Sequence, residues 1–210
     1  MVPGTPSLLN RTWYDSAATE YLVRFSYTLP LKQIVEALLA LVPLEALPRT
    51  GWVQRGIAQP ECIAGHLVGT TLVALALAPR VEPPLNVDRV VALAAVHDAP
   101  EALLGDLPMS AKRLLGAEAK QAAEERAARE VLGPLSETAL ERFLEAQEGS
   151  TREAQLARLC DKLQLGLRLL AYRKAGQGNL DEFIEGLCNL DCSAFEPAVE
   201  FQRELLAALQ

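Results

Sequence analysis

The chain has 210 residues, a formal net charge of −7, and half of its residues are hydrophobic but only 5% aromatic, which allows one domain with an aliphatic core, with or without an extension. The 20 basic residues are spread along the chain rather than gathered in a stripe, which argues against a nucleic-acid polymer as partner. No apolar run approaches the roughly 20 residues of a membrane span, and the start, Met1-Val2-Pro3-Gly4-Thr5-Pro6, lacks the basic and apolar stretches of a signal peptide. No membrane partner and a cytoplasmic location are therefore expected. Leu and Ala dominate and β-branched runs between turn signals are scarce, so the expected fold is all-α.

Residues 1–14 are rich in Pro, Gly, Ser and Thr. Residues 15–28 predict a helix with Tyr21, Leu22, Phe25 and Leu29 inward, closed by Pro30. A second helix is predicted over 31–47, where Ile34, Val35, Leu38, Leu39 and Val42 recur as one buried stripe, and Pro48 marks its end. Residues 49–59 read as a connection. Pro60 suits the first position of a helix running to about residue 78, in which Cys62, Ile63, Thr70, Val73 and Leu77 share the face of His66. Asn86 can cap the next helix, which carries an uncharged run into His97 and Asp98, and Pro100 ends or kinks it. Further helices are predicted from Ser110, interrupted at Gly116, over 117–132, and from Ser136 to near Gly149. Ser150-Thr151-Arg152-Glu153 reads as a capping box opening a long helix that Gly176 stops, with Asp161, Ala154, Ala157 and Leu165 on one inward face. Helices over 180–190 and 194–209 close the chain. Cys62, Cys160, Cys188 and Cys192 are expected as reduced core residues, because a structural zinc site wants a second close pair or fitting histidines.

The stretch richest in chemistry is His97-Asp98-Ala99-Pro100-Glu101 with Gly105-Asp106-Leu107-Pro108. Ionisable groups at the end of an apolar run need partners or a metal, since burying an unpaired charge is costly. The chain has only one other histidine, His66. Three helices thus aim His66, His97 with Asp98, and Asp161 at the core, and two imidazoles with two carboxylates suit a borderline divalent cation. Glu101, three residues after Asp98, and Asp106, after a glycine, are placed to divide proton-transfer roles. The plainer reading takes the histidines as hydrogen-bonded core residues, Asp98 as a helix-terminal cap and Asp161 as the partner of Arg158 or Arg168. On the residues alone both readings stand.

The order of these residues resembles the HD-domain phosphohydrolase superfamily, and more closely its 5′-deoxynucleotidase branch. Arg49-Thr50-Gly51-Trp52, Pro60-Glu61 ahead of His66, the two adjoining motifs above, and Asp161-Lys162-Leu163 carry the resemblance, which covers about residues 31–190. It implies an HD-domain helical bundle over 31–210 with a metal site in its core, preceded by an extension over 1–30. It implies metal ligands at His66, His97, Asp98 and Asp161, and catalytic carboxylates at Glu101 and Asp106. It implies sugar discrimination by Trp52 and phosphate contacts from Arg49, Arg55 and Lys112, where Arg offers a planar fork of donors. The implied cofactor is one divalent transition metal (Co, Mn, Zn, Ni or Fe). The implied reaction removes the 5′-phosphate from 2′-deoxynucleoside 5′-monophosphates. Alternatives are a triphosphate phosphohydrolase of the same superfamily and a non-catalytic nucleotide-binding protein. The family often dimerises, so a homodimer is one expected assembly. Cys62 and Gly65 depart from the family pattern, which usually has Ser or Asn and an acidic residue there.

Overall fold

A computed structural model describes residues 30–210, and the helix expected over 15–28 lies outside the described residues. The described chain is all-α, with one isolated bridge, Pro48 to Cys62, and no strand. Its helices are α1 (Leu31–Leu41), followed by a 3-10 turn (Val42–Glu45), α2 (Thr50–Val53), α3 (Ile63–Leu77), α4 (Val87–Val96), α5 (Glu101–Leu104), α6 (Met109–Leu115), α7 (Ala117–Val131), α8 (Glu137–Glu148), α9 (Arg152–Lys174), α10 (Asp181–Cys188) and α11 (Glu196–Ala208).

The 23-residue α9 is the axis of the bundle, about 34 Å long at 1.5 Å per residue. It packs against α3, α4, α8, α10 and α11. Its buried Leu156, Cys160, Leu163 and Leu169 meet Val73 and Leu77 of α3 and Val90 and Leu93 of α4 in the main core. A smaller core joins Ala128, Val131 and Leu132 to Phe143 and Ala99. The metal-type residues lie where α3, α4 and α9 meet, so the same packing that buries the aliphatic core gathers His66, His97, Asp98 and Asp161.

Local chemistry sets the helix ends. Asn86 Oδ1 accepts from Arg89 N at 3.0 Å and caps α4 as expected. Gly149 closes α8 at φ +70°, and a Cβ there would run into the Arg158 guanidinium, which donates to the α8 carbonyls of Ala146 (3.3 Å) and Gln147 (2.5 Å). Arg158 therefore serves the end of α8 and is not the partner of Asp161. At α9 the cap is Thr151, whose Oγ1 accepts from Ala154 N at 3.2 Å. The box expected from Ser150 does not form, because Glu153 turns away to accept from Asn86 N at 3.2 Å.

Three other expectations change. The helix after Pro60 starts at Ile63, capped by Cys62 Sγ, rather than at Pro60. Arg49 N donates to Glu61 O and Ile63 N to Leu47 O, both at 2.9 Å, and this short ladder keeps 61–62 extended. The stripe on α1 is not buried among the described residues. Val35, Leu38, Leu39 and Val42 are each half-exposed or more, while Ala37 is buried and Ala40 and Leu41 pack toward α7 and the Leu44 turn. Periodicity identifies a face but not its neighbour. Lastly, Ile63–Arg80 is long and apolar enough by composition to cross a membrane, with mean hydropathy 1.3. Its Gly, Thr, His and Pro residues break the run, yet its Leu, Ala, Val and Ile keep the mean high, and the helix carries fully buried His66 and Thr70 into the core. Cys160 and Cys192 are buried, Cys62 is half-buried and Cys188 is exposed, all four as free thiols. Cys160 and Cys192 take the core placement expected, while Cys62 caps α3 and Cys188 stands exposed on α10.

Candidate metal centre

Four side chains from three places in the chain converge. His66 comes from the first turn of α3 and is 0% exposed. His97 and Asp98 follow the last turn of α4, and Asp161 projects from the middle of α9. His66 Nε2 lies 3.0 Å from Asp161 Oδ1 and 3.7 Å from Asp98 Oδ2. His97 Nε2 lies 3.4 Å from Asp98 Oδ2 and 4.0 Å from Asp161 Oδ1. The imidazole rings stand 5.4 Å apart at 70°. His66, His97 and Asp98 each offer a ligand atom within 4.8 Å of the others.

The second ring nitrogens decide what these atoms can do. His66 Nδ1 faces Gln164 Oε1 at 2.6 Å, and His97 Nδ1 faces Ala94 O at 2.8 Å. Both partners are acceptors, so each Nδ1 donates to its own partner and each Nε2 is the nitrogen left to face the common centre. His66 Nε2, His97 Nε2 and Asp161 Oδ1 are buried with no hydrogen-bond partner. Buried polar atoms without partners are costly, and a shared divalent cation, displacing any proton on Nε2, is the simplest group that satisfies all three. The residues present fit such an ion.

Charge around the centre is strongly coupled. Burial opposes the charge on His97, but Asp98 and Asp161 outweigh it and raise the imidazole to about 9. Burial likewise opposes the Asp98 charge, yet His97 and Arg49 hold its carboxyl well below the usual range. Asp161 is lowered too, against burial, by Lys162 and the histidines. Its ion-pair partner is Lys162, with Nζ 2.8 Å from Oδ2, rather than either arginine considered from sequence. Glu101 behaves oppositely: burial, then Asp98 and Asp106, push it up to about 9 despite Arg49. It is 6% exposed, and its Oε2 has no hydrogen-bond partner.

The Arg49-Thr50-Gly51-Trp52 segment builds the other side. Arg49 Nη1 sits 2.8 Å from Asp98 Oδ2, 3.7 Å from Glu101 Oε2 and 3.8 Å from Asp106 Oδ1. Thr50 N donates to Asp106 Oδ2 at 2.6 Å and Thr50 Oγ1 to Asp106 O at 2.8 Å, tying the two loops together. A Cβ on Gly51 would meet Phe183 at 3.3 Å. Trp52 is 1% exposed and stacks on Phe183 with centroids 4.1 Å apart, while its Nε1 donates to Glu61 Oε1 at 3.0 Å. Arg49, Trp52, Asp106, Lys112 and Lys162 line one cavity of about 150 Å³. A second cavity, about 200 Å³, reaches His97, Asp98 and Asp161 from the α7–α8 side. Arg55 is not brought to either; its guanidinium pairs with Glu182 instead.

Gln164 and Lys162 are contributions to the site that residue spacing did not single out. Gln164 Nε2 donates to Glu61 Oε2 at 2.9 Å, so Glu61 joins Trp52 to the amide that orients His66. A polar side chain three residues after Asp161 on the buried face of α9 is the signal that marks it. Gln164→Leu is expected to weaken metal affinity about 10–100-fold, the usual cost of losing an outer partner of a ligating histidine. Calorimetric titration of the apo variant checks this; an unchanged dissociation constant would reduce Gln164 to packing.

An all-α bundle with a His, His-Asp and Asp cluster at its centre defines the HD class of domain. The family model described as HD domain matches residues 43–197, and the chain belongs to this family. Among its relatives, the 5'-deoxynucleotidase hdd1 of Schizosaccharomyces pombe is 29% identical over 154 residues, 70% of this chain and 76% of that protein. The human 5'-deoxynucleotidase HDDC2 is 28% identical over 160 residues, 73% and 76% of the two chains. A crystal structure of a protein from Pyrococcus horikoshii OT3 superposes with a TM-score of 0.70 at 32% identity, covering 83% of this chain and 99% of that one.

Proposed function

We propose that this chain is a metal-dependent phosphohydrolase that removes the 5′-phosphate from 2′-deoxynucleoside 5′-monophosphates. The observation that carries the reading is the convergence of three orphaned ligand atoms, on His66, His97 and Asp161, beside Arg49 and Glu101. The substrate is supported by the activity named for the fission-yeast and human relatives. His66, His97, Asp98 and Asp161 would hold one divalent ion from the Mn, Fe, Co, Ni and Zn group, to which imidazole and carboxylate donors are suited. When bound, such an ion acidifies water and polarises a phosphate oxygen.

The protein groups do the rest. Arg49, with Lys112 and Lys162 in the same cavity, offers positive charge to the phosphate. Glu101, kept protonated by its burial among carboxylates, is placed to give its proton to the departing 5′ oxygen. Asp106, with one oxygen fixed by Thr50 N, holds Arg49 from the far side. Trp52 lines this cavity, and with its edge against C2′ a 2′-hydroxyl would lose hydrogen bonds, which would disfavour ribose.

A phosphate-release screen of dAMP, AMP and dATP with Co, Mn, Zn and Ni tests this reading. Turnover of dAMP well above AMP is expected, and Trp52→Phe, which keeps an aromatic in the core, is expected to narrow that ratio. Turnover of dATP alone would replace the reading with a triphosphatase, and binding without turnover would replace it with a sensor.

A further inference from the structure

The proposed chemistry uses the small cavity at Arg49 and Trp52, but a larger one, about 260 Å³, opens directly from it. The two share Gly51, Met109, Lys162, Leu165 and Phe183 as walls. Beyond them the larger chamber is lined by Leu169, Gly186 and Leu187, and its rim carries Gln54 and the Arg55–Glu182 pair. It is therefore an apolar slot with polar groups at one edge, as small-molecule sites generally are.

We propose that this chamber is the nucleobase subsite, with Phe183 as its stacking platform and Gly186 as the residue that keeps it open; the proposal rests on the nucleotide reading above. Three features support an aromatic heterocycle as occupant. Phe183 is held in place by its stack on Trp52, so its ring is a fixed surface of the kind on which bases of any sequence stack. Arg49 touches Asp98 of the ligand cluster, Trp52 shares the Arg49 cavity, and Phe183 borders both cavities, the order in which phosphate, sugar and base follow one another in a nucleoside 5′-monophosphate. Gly186 lies inside α10, where glycine weakens a helix, and a Cβ there would meet nothing within 4 Å. Apart from Lys162 the walls are apolar, and the rim offers one ion pair and the single amide of Gln54, too few donors and acceptors to read a base edge. Recognition then follows stacking area, and purines bind better than pyrimidines.

Gly186→Leu fills the chamber without touching the catalytic groups, and Gly186→Ala, which favours the helix, serves as the control for folding. Gly186→Leu is expected to raise KM for dAMP about tenfold or more, the scale of a misfit in an apolar pocket, with kcat little changed. Hydrolysis of 2-deoxyribose 5-phosphate, which has no base, is expected to stay within about twofold of the parent protein. Equal losses on both substrates, or no change in the KM for dAMP, would overturn the proposal. Calorimetric titration of deoxyadenosine, which has no phosphate, reads the chamber apart from catalysis. The parent protein is expected to bind it and Gly186→Leu to bind it at least about tenfold more weakly; no binding to the parent, or equal binding to both, overturns the subsite. If deoxyadenosine binds as expected but dAMP is not hydrolysed, the subsite stands and the phosphohydrolase reading fails.

Discussion

His97→Ala is expected to purify with little metal and to bind added ion far more weakly than the parent protein. The loss should exceed the roughly 10–100-fold that follows removal of an outer-shell partner, because Nε2 of His97 is one of the orphaned atoms that meet at the centre. His97 is only partly buried and its Nδ1 bond to Ala94 O closes the end of α4, so the fold should survive, with a modestly lowered melting temperature. Elemental analysis of the purified variant, with circular dichroism for the fold, decides the matter. A folded His97→Ala protein with full metal content would remove His97 from the ligand set and, with it, the reason the two histidines face each other.

Glu101→Gln is expected to keep its metal and lose about 10²–10⁴ in kcat, the usual contribution of a positioned acid or base. The pH profile carries the sharper information. A carboxyl raised to about 9 is protonated at neutral pH, so an acid role is active below that value and is lost as pH rises through it. Asp98 is one cause of the raised value, and a cation beside Asp98 offsets its charge, so the alkaline limb in the loaded enzyme should fall at or below pH 9. Glutamine cannot titrate, and that limb should vanish in the variant. The same shift has a stability sign. The protonated form is the one the fold accepts, so its contribution is full below the ordinary glutamate value and is lost as pH rises toward about 9. The apo protein should therefore lose melting temperature over that window, and Glu101→Gln should lose less. Near-parental turnover in the variant would exclude Glu101 from the reaction.

Much of the bundle is legible in single residues whose effect is local. Asn86, Gly116, Gly149 and Gly176 end or begin helices where their own backbone preferences say they should. The metal-type cluster is legible for a related reason: ionisable residues closing an uncharged helix are costly unless gathered, and only two histidines were available to gather. What escaped depends on partners distant in sequence. Gln164 acquires its role from His66, 98 positions away, and Arg55 pairs with Glu182, 127 positions away. The start of α3 shifted because the backbone of 61–63 pairs with that of 47–49, a contact with no side-chain pattern. The α1 stripe shows the complementary failure, since an apolar face reports the need for a neighbour without naming it.

Glu61 has a consequence for how such a site can change over generations. One of its oxygens takes the indole proton of Trp52 and the other takes the Gln164 amide that orients His66. The ring proposed to screen the sugar and the imidazole proposed to hold the ion thus lean on a single acid. A lineage drifting toward ribose by altering Trp52 would leave Glu61 a buried acceptor short and disturb ion retention in the same step. Altering the base chamber around Gly186 touches none of these bonds. If these roles hold, base preference in this architecture would be free to wander, while sugar preference and metal retention would be inherited together.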